Sequence, residues 1–132
     1  MCIRDRVAPP DHPLVGKKRI APERLRNEPF ILREPGSGTR LTSERFFAGQ
    51  GIALKNRLEV GSNEAIKQTV AGGLGLAVLS AHTVTAELAL GELVQLDVKG
   101  FPLIRHWHVV VPRGKRLSAA ATAFREWLFT HR

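Results

Sequence analysis

Residues 57–79, RLEVGSNEAIKQTVAGGLGLAVL, decide the fold class. Arg57–Val60 reads as a short strand, broken by Gly61-Ser62. Asn63–Ala71 reads as a helix that ends at Gly72-Gly73. Leu74–Leu79 is then a continuous apolar run of strand length, as expected for a strand buried on both faces. Strand, turn, helix, glycine turn and buried strand follow one another with short connections. That succession is the signature of an α/β unit.

The same alternation extends in both directions. Upstream, Val7–Pro10 is a short apolar piece stopped by two prolines, and Asp11-His12-Pro13 is a turn. Pro22 opens a short helical stretch over Glu23–Asn27, as proline does at a first helical position. Phe30–Arg33 is a strand closed by Pro35-Gly36. Thr39–Ala48 is a helix with Leu41, Phe46 and Phe47 on its apolar face, ended by Gly49 and Gly51. Downstream, Thr83–Leu90 reads as a helix capped by Gly91, and Leu93–Val98 as a strand. Arg105–Val111 is the most strand-like run of all and stops at Pro112. Ser118 caps a last amphipathic helix, Ser118–Phe129, with Ala120, Ala121, Phe124, Trp127 and Leu128 on one face. The whole implies an α/β fold with a largely parallel sheet. Met1–Arg6 fit none of these elements. They read as non-native, carried over from sequencing-adapter read-through, and are expected to be loosely packed.

Size and composition agree with one ordinary globular domain. The chain has 132 residues, 43% hydrophobic and 24% charged, which argues against disorder. Cys2 is the only cysteine and cannot form an internal disulfide. No apolar h-region follows the opening charges. The longest stretch without a formal charge, Gln68–Ala86, is too polar and too rich in glycine for a membrane span. The expected setting is cytoplasmic, without a membrane. The net charge of +8 invites a nucleic-acid reading. However, residues 1–40 carry nine Lys/Arg against five Asp/Glu, residues 41–100 five against six, and residues 101–132 six against one. The basicity sits at the two ends and forms no base-reading helix, zinc finger or aromatic RNA-binding signature.

Two turns carry the candidate chemistry. Arg33-Glu34-Pro35-Gly36-Ser37-Gly38-Thr39-Arg40 lies between a strand and a helix. Its glycines permit close approach of a ligand, and the first helical N–H groups lack intrahelical partners. With the helix dipole, such a turn suits a carboxylate or phosphate, and Ser37 and Thr39 add hydroxyls. The plain alternative is a capped strand–helix turn with no ligand. Gly61-Ser62-Asn63 repeats the arrangement, and in a parallel sheet both turns would lie at the carboxyl-terminal edge, where ligands bind. Enzymatic motifs are missing: no nucleophile elbow surrounds Ser37 or Ser80, and there is no phosphate-binding P-loop. Gly73-Leu74-Gly75 precedes a strand, so it is a helix-ending turn and not a dinucleotide fingerprint. His106 and His108 would share a strand face but lack further ligands for a metal. Trp107 and Trp127 read as core residues rather than ligand-stacking ones.

Taken in order, the motifs resemble a known family. The set is His12-Pro13-Leu14, the Phe30–Arg40 strand and turn, Gly61 to Lys67, and Val70 to Ser80. After these come Glu87-Leu88 with Gly91, Phe101-Pro102 with Arg105 and Trp107, and Leu117-Ser118 to Phe124. The order is similar to the effector-binding domain of LysR-type transcriptional regulators, nearest to the subgroup that controls carbon-fixation (RuBisCO) operons. Coverage runs from about Val7 to the end.

The resemblance implies a type II periplasmic-binding-protein-like fold, with two α/β subdomains and a small effector between them. On this chain it implies a remnant of subdomain I and the crossover at residues 7–12, and the whole of subdomain II at 13–113. Residues 114–132 would be the return segment and the C-terminal helix of subdomain I. The chain would then be a fragment of a regulator without its helix-turn-helix, touching operator DNA only through that missing part. The full-length protein would be a homo-oligomer. Ser37, Gly38 and Thr39 in the first turn, Ser62 and Asn63 in the second, and Gln68 one helical turn on, would hydrogen-bond a small anionic metabolite, phosphorylated or not. No cofactor, metal or bond chemistry is implied. A stand-alone solute-binding protein is the alternative of the same fold.

Overall fold

The computed structural model describes residues 2–131. Strand β1 (Cys2–Ala8) runs through the middle of a four-stranded sheet. One edge of β1 pairs antiparallel with β4 (Ala77–Ser80), from Arg4 opposite Ser80 to Val7 opposite Ala77. The other edge is shared by β6 (Leu103–Arg105), opposite Cys2–Arg4, and β5 (Val94–Gln95), opposite Val7 and Ala8. Strands β2 (Pro29–Leu32) and β3 (Lys55–Glu59) form a separate parallel pair. A parallel bridge from Phe30 to Leu76 ties β2 to the approach of β4.

The helices are α1 (Gly38–Gly49), α2 (Asn63–Ala71), α3 (Thr85–Leu90) and α4 (Ala119–Thr130), with 3-10 turns at Pro22–Leu25 and Ala81–Thr83. Local chemistry sets their ends. Ser62 accepts a hydrogen bond from Ala65 N at 3.4 Å at the start of α2, and Ser118 accepts one from Ala121 N at 3.2 Å at the start of α4. Gly91 stops α3 in the left-handed conformation, at φ 73°.

Two apolar clusters fill the interior. In one, the ring of Phe30 meets Phe47 edge-on at 5.6 Å, among Leu25, Ile52, Leu76 and Leu96. In the other, Ile66 and Val70 of α2 pack on Val7, Ile31, Ala77 and Leu79. At Gly75 the backbone passes close against β2: a Cβ there would sit 2.5 Å from the carbonyl oxygen of Pro29. The run 74–79 therefore enters the sheet through the one residue that can pass β2.

Five expectations need correction. The sheet is mixed and not largely parallel, because β1 enters it antiparallel to each of its partners. Residues 2–6 do not lie outside the fold; they belong to β1, because backbone pairing on both edges needs no apolar side-chain pattern (Met1 lies outside the described residues). Arg105–Val111 is not a strand beyond Arg105: β6 pairs with β1 over Leu103–Arg105, and residues 106–111, exposed to solvent, have strand composition but no strand neighbour among the described residues. Trp107 and Trp127 are not core: they are 76% and 53% exposed. The strand expected over Leu93–Val98 shrinks to Val94–Gln95, because the chain turns away from β1 after Leu96, whose N–H donates to the Arg6 carbonyl oxygen at 3.3 Å, and Val98 bridges to Ile20 instead. Among the described residues, no helix is long and apolar enough to cross a membrane.

Candidate functional site

The turn between β2 and α1 opens onto a concavity of about 360 Å³. Ser37, Gly38 and Thr39 form one wall, with Arg33 beside them; Arg4 of β1, Arg105 at the end of β6, and the following His106 and Trp107 form the rest. Arg105 Nη1 donates to Thr42 Oγ1, and Thr42 in turn donates to the Gly38 carbonyl at 2.6 Å. The far wall is thereby bonded to the first turn of α1.

The N-terminus of α1 is open in a way that of α2 is not. Ser37 occupies the N-cap position of α1 but makes no side-chain cap, and no acidic residue lies in the first turn. Among the described residues, the hydroxyls of Ser37 and Thr39 have no hydrogen-bond partner, and Thr39 is buried. Three arginines line the space in front of these groups. Unpaired N–H groups, a positive helix end, two free hydroxyls and guanidinium groups all favour an anion. At α2, by contrast, Ser62 caps the helix and Glu64 sits in its first turn, bonded to Lys67 at 2.7 Å. That helix end already has its negative partner.

Arg33 and Glu34 are paired through Nε at 2.7 Å and Nη2 at 2.9 Å. The guanidinium holds the Glu34 carboxyl below the usual carboxylate range, and Glu34 pushes Arg33 up in return. Of the residues singled out from the sequence, Ser37, Gly38 and Thr39 line the concavity, and Ser62, Asn63 and Gln68 do not. Asn63 accepts from Arg33 Nη1 at 2.6 Å, and exposed Gln68 donates to Glu64 at 3.5 Å. The sequence reading passes over Arg4, Arg105, His106 and Trp107 as site residues. A basic and aromatic cluster directly after a strand, Arg105-His106-Trp107, is the signal that marks the last three. Among the described residues no three or more His, Cys, Asp or Glu side chains group as metal ligands.

Comparison with known proteins gives the chain its family. Residues 5–132 match the LysR substrate binding domain. The chain belongs to the LysR substrate-binding family. It is 63% identical over 123 residues to a RuBisCO operon transcriptional regulator of Acidithiobacillus ferrooxidans, covering 93% of this chain and 40% of that protein. It is 52% identical over 124 residues to the RuBisCO operon transcriptional regulator of Allochromatium vinosum, covering 94% of this chain and 41% of that one. This LysR domain thus spans about two-fifths of the length of those curated relatives. Among solved structures, the regulatory domain of CcmR from Synechocystis PCC6803, in complex with 2-PG, superposes with a TM-score of 0.89 at 45% identity. That match covers 98% of this chain and 62% of the other. Such LysR effector-binding domains have the type II periplasmic-binding-protein-like fold.

Proposed function

We propose that this chain is the sensing part of a LysR-type regulator of carbon-fixation genes, and that its concavity binds a small anionic metabolite without chemical conversion. The open N-terminus of α1, facing three arginines across the concavity, carries the reading. The ligand of the Synechocystis neighbour, a small anionic metabolite, supports the charge class. In this reading residues 13–113, with β1 built into their sheet, make one subdomain, and 114–132 return toward the other. Ser37 and Thr39 bond the anion directly, and the α1 amides receive its charge. The remaining three-fifths of such a regulator carries DNA recognition and oligomerisation. Ligand binding changes transcription there only by favouring one arrangement of the parts.

Thermal unfolding in the presence of 2-phosphoglycolate tests the reading. A ligand at about 100 times its Kd raises stability by ~2.7 kcal/mol. The shift should vanish in Ser37→Ala/Thr39→Val, a variant that leaves the unliganded fold in place, and inorganic sulfate at equal concentration should give a smaller one. Equal stabilisation of wild type and variant would place the site elsewhere.

A further inference from the structure

The second turn lies outside the concavity yet is bonded to its wall. Arg33 lines the concavity, and every nitrogen of its guanidinium is engaged. Nε and Nη2 donate to the two oxygens of Glu34 at 2.7 and 2.9 Å, while Nη1 donates to Asn63 Oδ1 at 2.6 Å. Asn63 is the first residue of α2, thirty positions further along the chain. The backbone of Arg33 is fixed as well. Arg40 Nη1 donates to its carbonyl oxygen at 3.0 Å and to Glu59 at the end of β3 at 2.6 Å, and Arg40 Nε donates to Glu44 at 2.8 Å. None of Glu34, Arg40 or Asn63 lines the concavity. They hold Arg33 from behind.

An arginine left free in a binding site must be ordered when the ligand arrives, and that ordering subtracts from affinity. Here the ordering is done in advance. Glu34 takes part of the charge in doing so, but Asn63 is neutral: it fixes Nη1 without cancelling any charge. We infer that Asn63 is a positioning residue for anion binding, acting on the ligand through Arg33 and not by touching it. The inference rests on the effector-site reading above. It assigns the two turns different tasks, the first to contact the anion and the second to aim the cation that meets it.

A double-mutant cycle with 2-phosphoglycolate, titrated calorimetrically, tests this. Asn63→Ala should weaken binding several-fold, and Arg33→Ala more so. The double variant should be no weaker than Arg33→Ala alone, since Asn63 has nothing left to aim. Asn63→Asp keeps the acceptor and the fold but adds a negative charge behind Arg33, so it should also weaken binding. A second readout needs no ligand: the Nη1 protons of Arg33, followed by NMR, should be protected in wild type and Asn63→Asp and exchange faster in Asn63→Ala. Additive losses in the cycle, or Nη1 exchange unchanged in Asn63→Ala, would overturn the inference. Failure of the wild-type chain to bind 2-phosphoglycolate would instead overturn the effector reading, and Arg33 exchange would still report whether Asn63 holds the guanidinium.

Discussion

Asp5 and Arg6 are consecutive on β1 and bond to each other inside the protein, with Arg6 Nη1 2.5 Å from Asp5 Oδ1 and both residues buried. The pair is poorly rewarded. Burial pushes the Asp5 carboxyl up although Arg6 and Gln95 pull it the other way, and burial brings the Arg6 guanidinium down. Arg6 Nε is buried without a partner. Desolvation therefore outweighs the attraction between the two charges. Replacing both by apolar residues, Asp5→Val with Arg6→Leu, should stabilise the chain by ~1–4 kcal/mol in urea unfolding, as for other buried pairs. Arg6→Leu alone should cost ~3–5 kcal/mol, because it strands a buried carboxylate. A destabilised double variant would mean the pair holds β1 in register.

The same pair sets a pH dependence with a definite sign. The folded Asp5 carboxyl titrates above its unfolded value. At low pH both states are protonated and the group is neutral for stability. As pH rises through the unfolded value, near ~3.9 for aspartate, the unfolded chain loses its proton first and is favoured. Asp5→Asn mimics the protonated form. Whatever the cost of leaving Arg6 without its carboxylate, the stability of Asp5→Asn relative to wild type should rise from pH 3 toward pH 6. A constant difference across that range would show that Asp5 titrates normally in the fold.

Gly75 separates packing from propensity. A methyl group there would meet the Pro29 carbonyl oxygen at 2.5 Å and the Ile31 side chain at 3.3 Å. The first of these is backbone within a paired strand and cannot swing aside. Gly75→Ala should therefore destabilise by ~1–3 kcal/mol, the usual range for overpacking. Gly72→Ala, where the nearest atom is 3.4 Å away, should cost less. Equal costs would mean that β2 and β4 can part locally.

What could be read from the sequence is what neighbours within about four residues determine. Ser62 and Ser118 cap the helices they precede, and Gly91 ends α3. The strand–helix turn at Ser37–Thr39 is local in the same sense. The pairing of β1 is not: its partners lie seventy or more residues away, and its Asp5 and Arg6 break any apolar pattern. Trp107 misleads for a related reason. Its run has strand composition, but a strand needs a partner, and among the described residues none adjoins 106–111. Ser37 and Ser62 look alike in sequence, each following a strand and preceding a helix. Only the structure shows that one hydroxyl is spent on a cap and the other is not.

Helix α4 has the pattern of a packed helix and lacks the packing. None of its residues is buried, and Phe124 and Trp127 are 61% and 53% exposed. The stripe touches itself: Phe124 stacks on Trp127 at 6.4 Å, and Trp127 on His131 at 4.9 Å. Large apolar side chains contribute ~1.5–3 kcal/mol each when fully buried, so little of that is realised here. A twelve-residue helix is marginal alone, even with Ser118 as its cap. Deleting residues 116–132 should consequently leave the stability of the rest within ~0.5 kcal/mol of the intact chain, the range of ordinary surface changes. The exposed stripe has a second consequence. The intact chain should self-associate as its concentration rises in sedimentation, and the shortened chain should not. If the deletion instead lowers Tm sharply at a concentration where the intact chain is monomeric, α4 packs on the sheet in solution and belongs to its core.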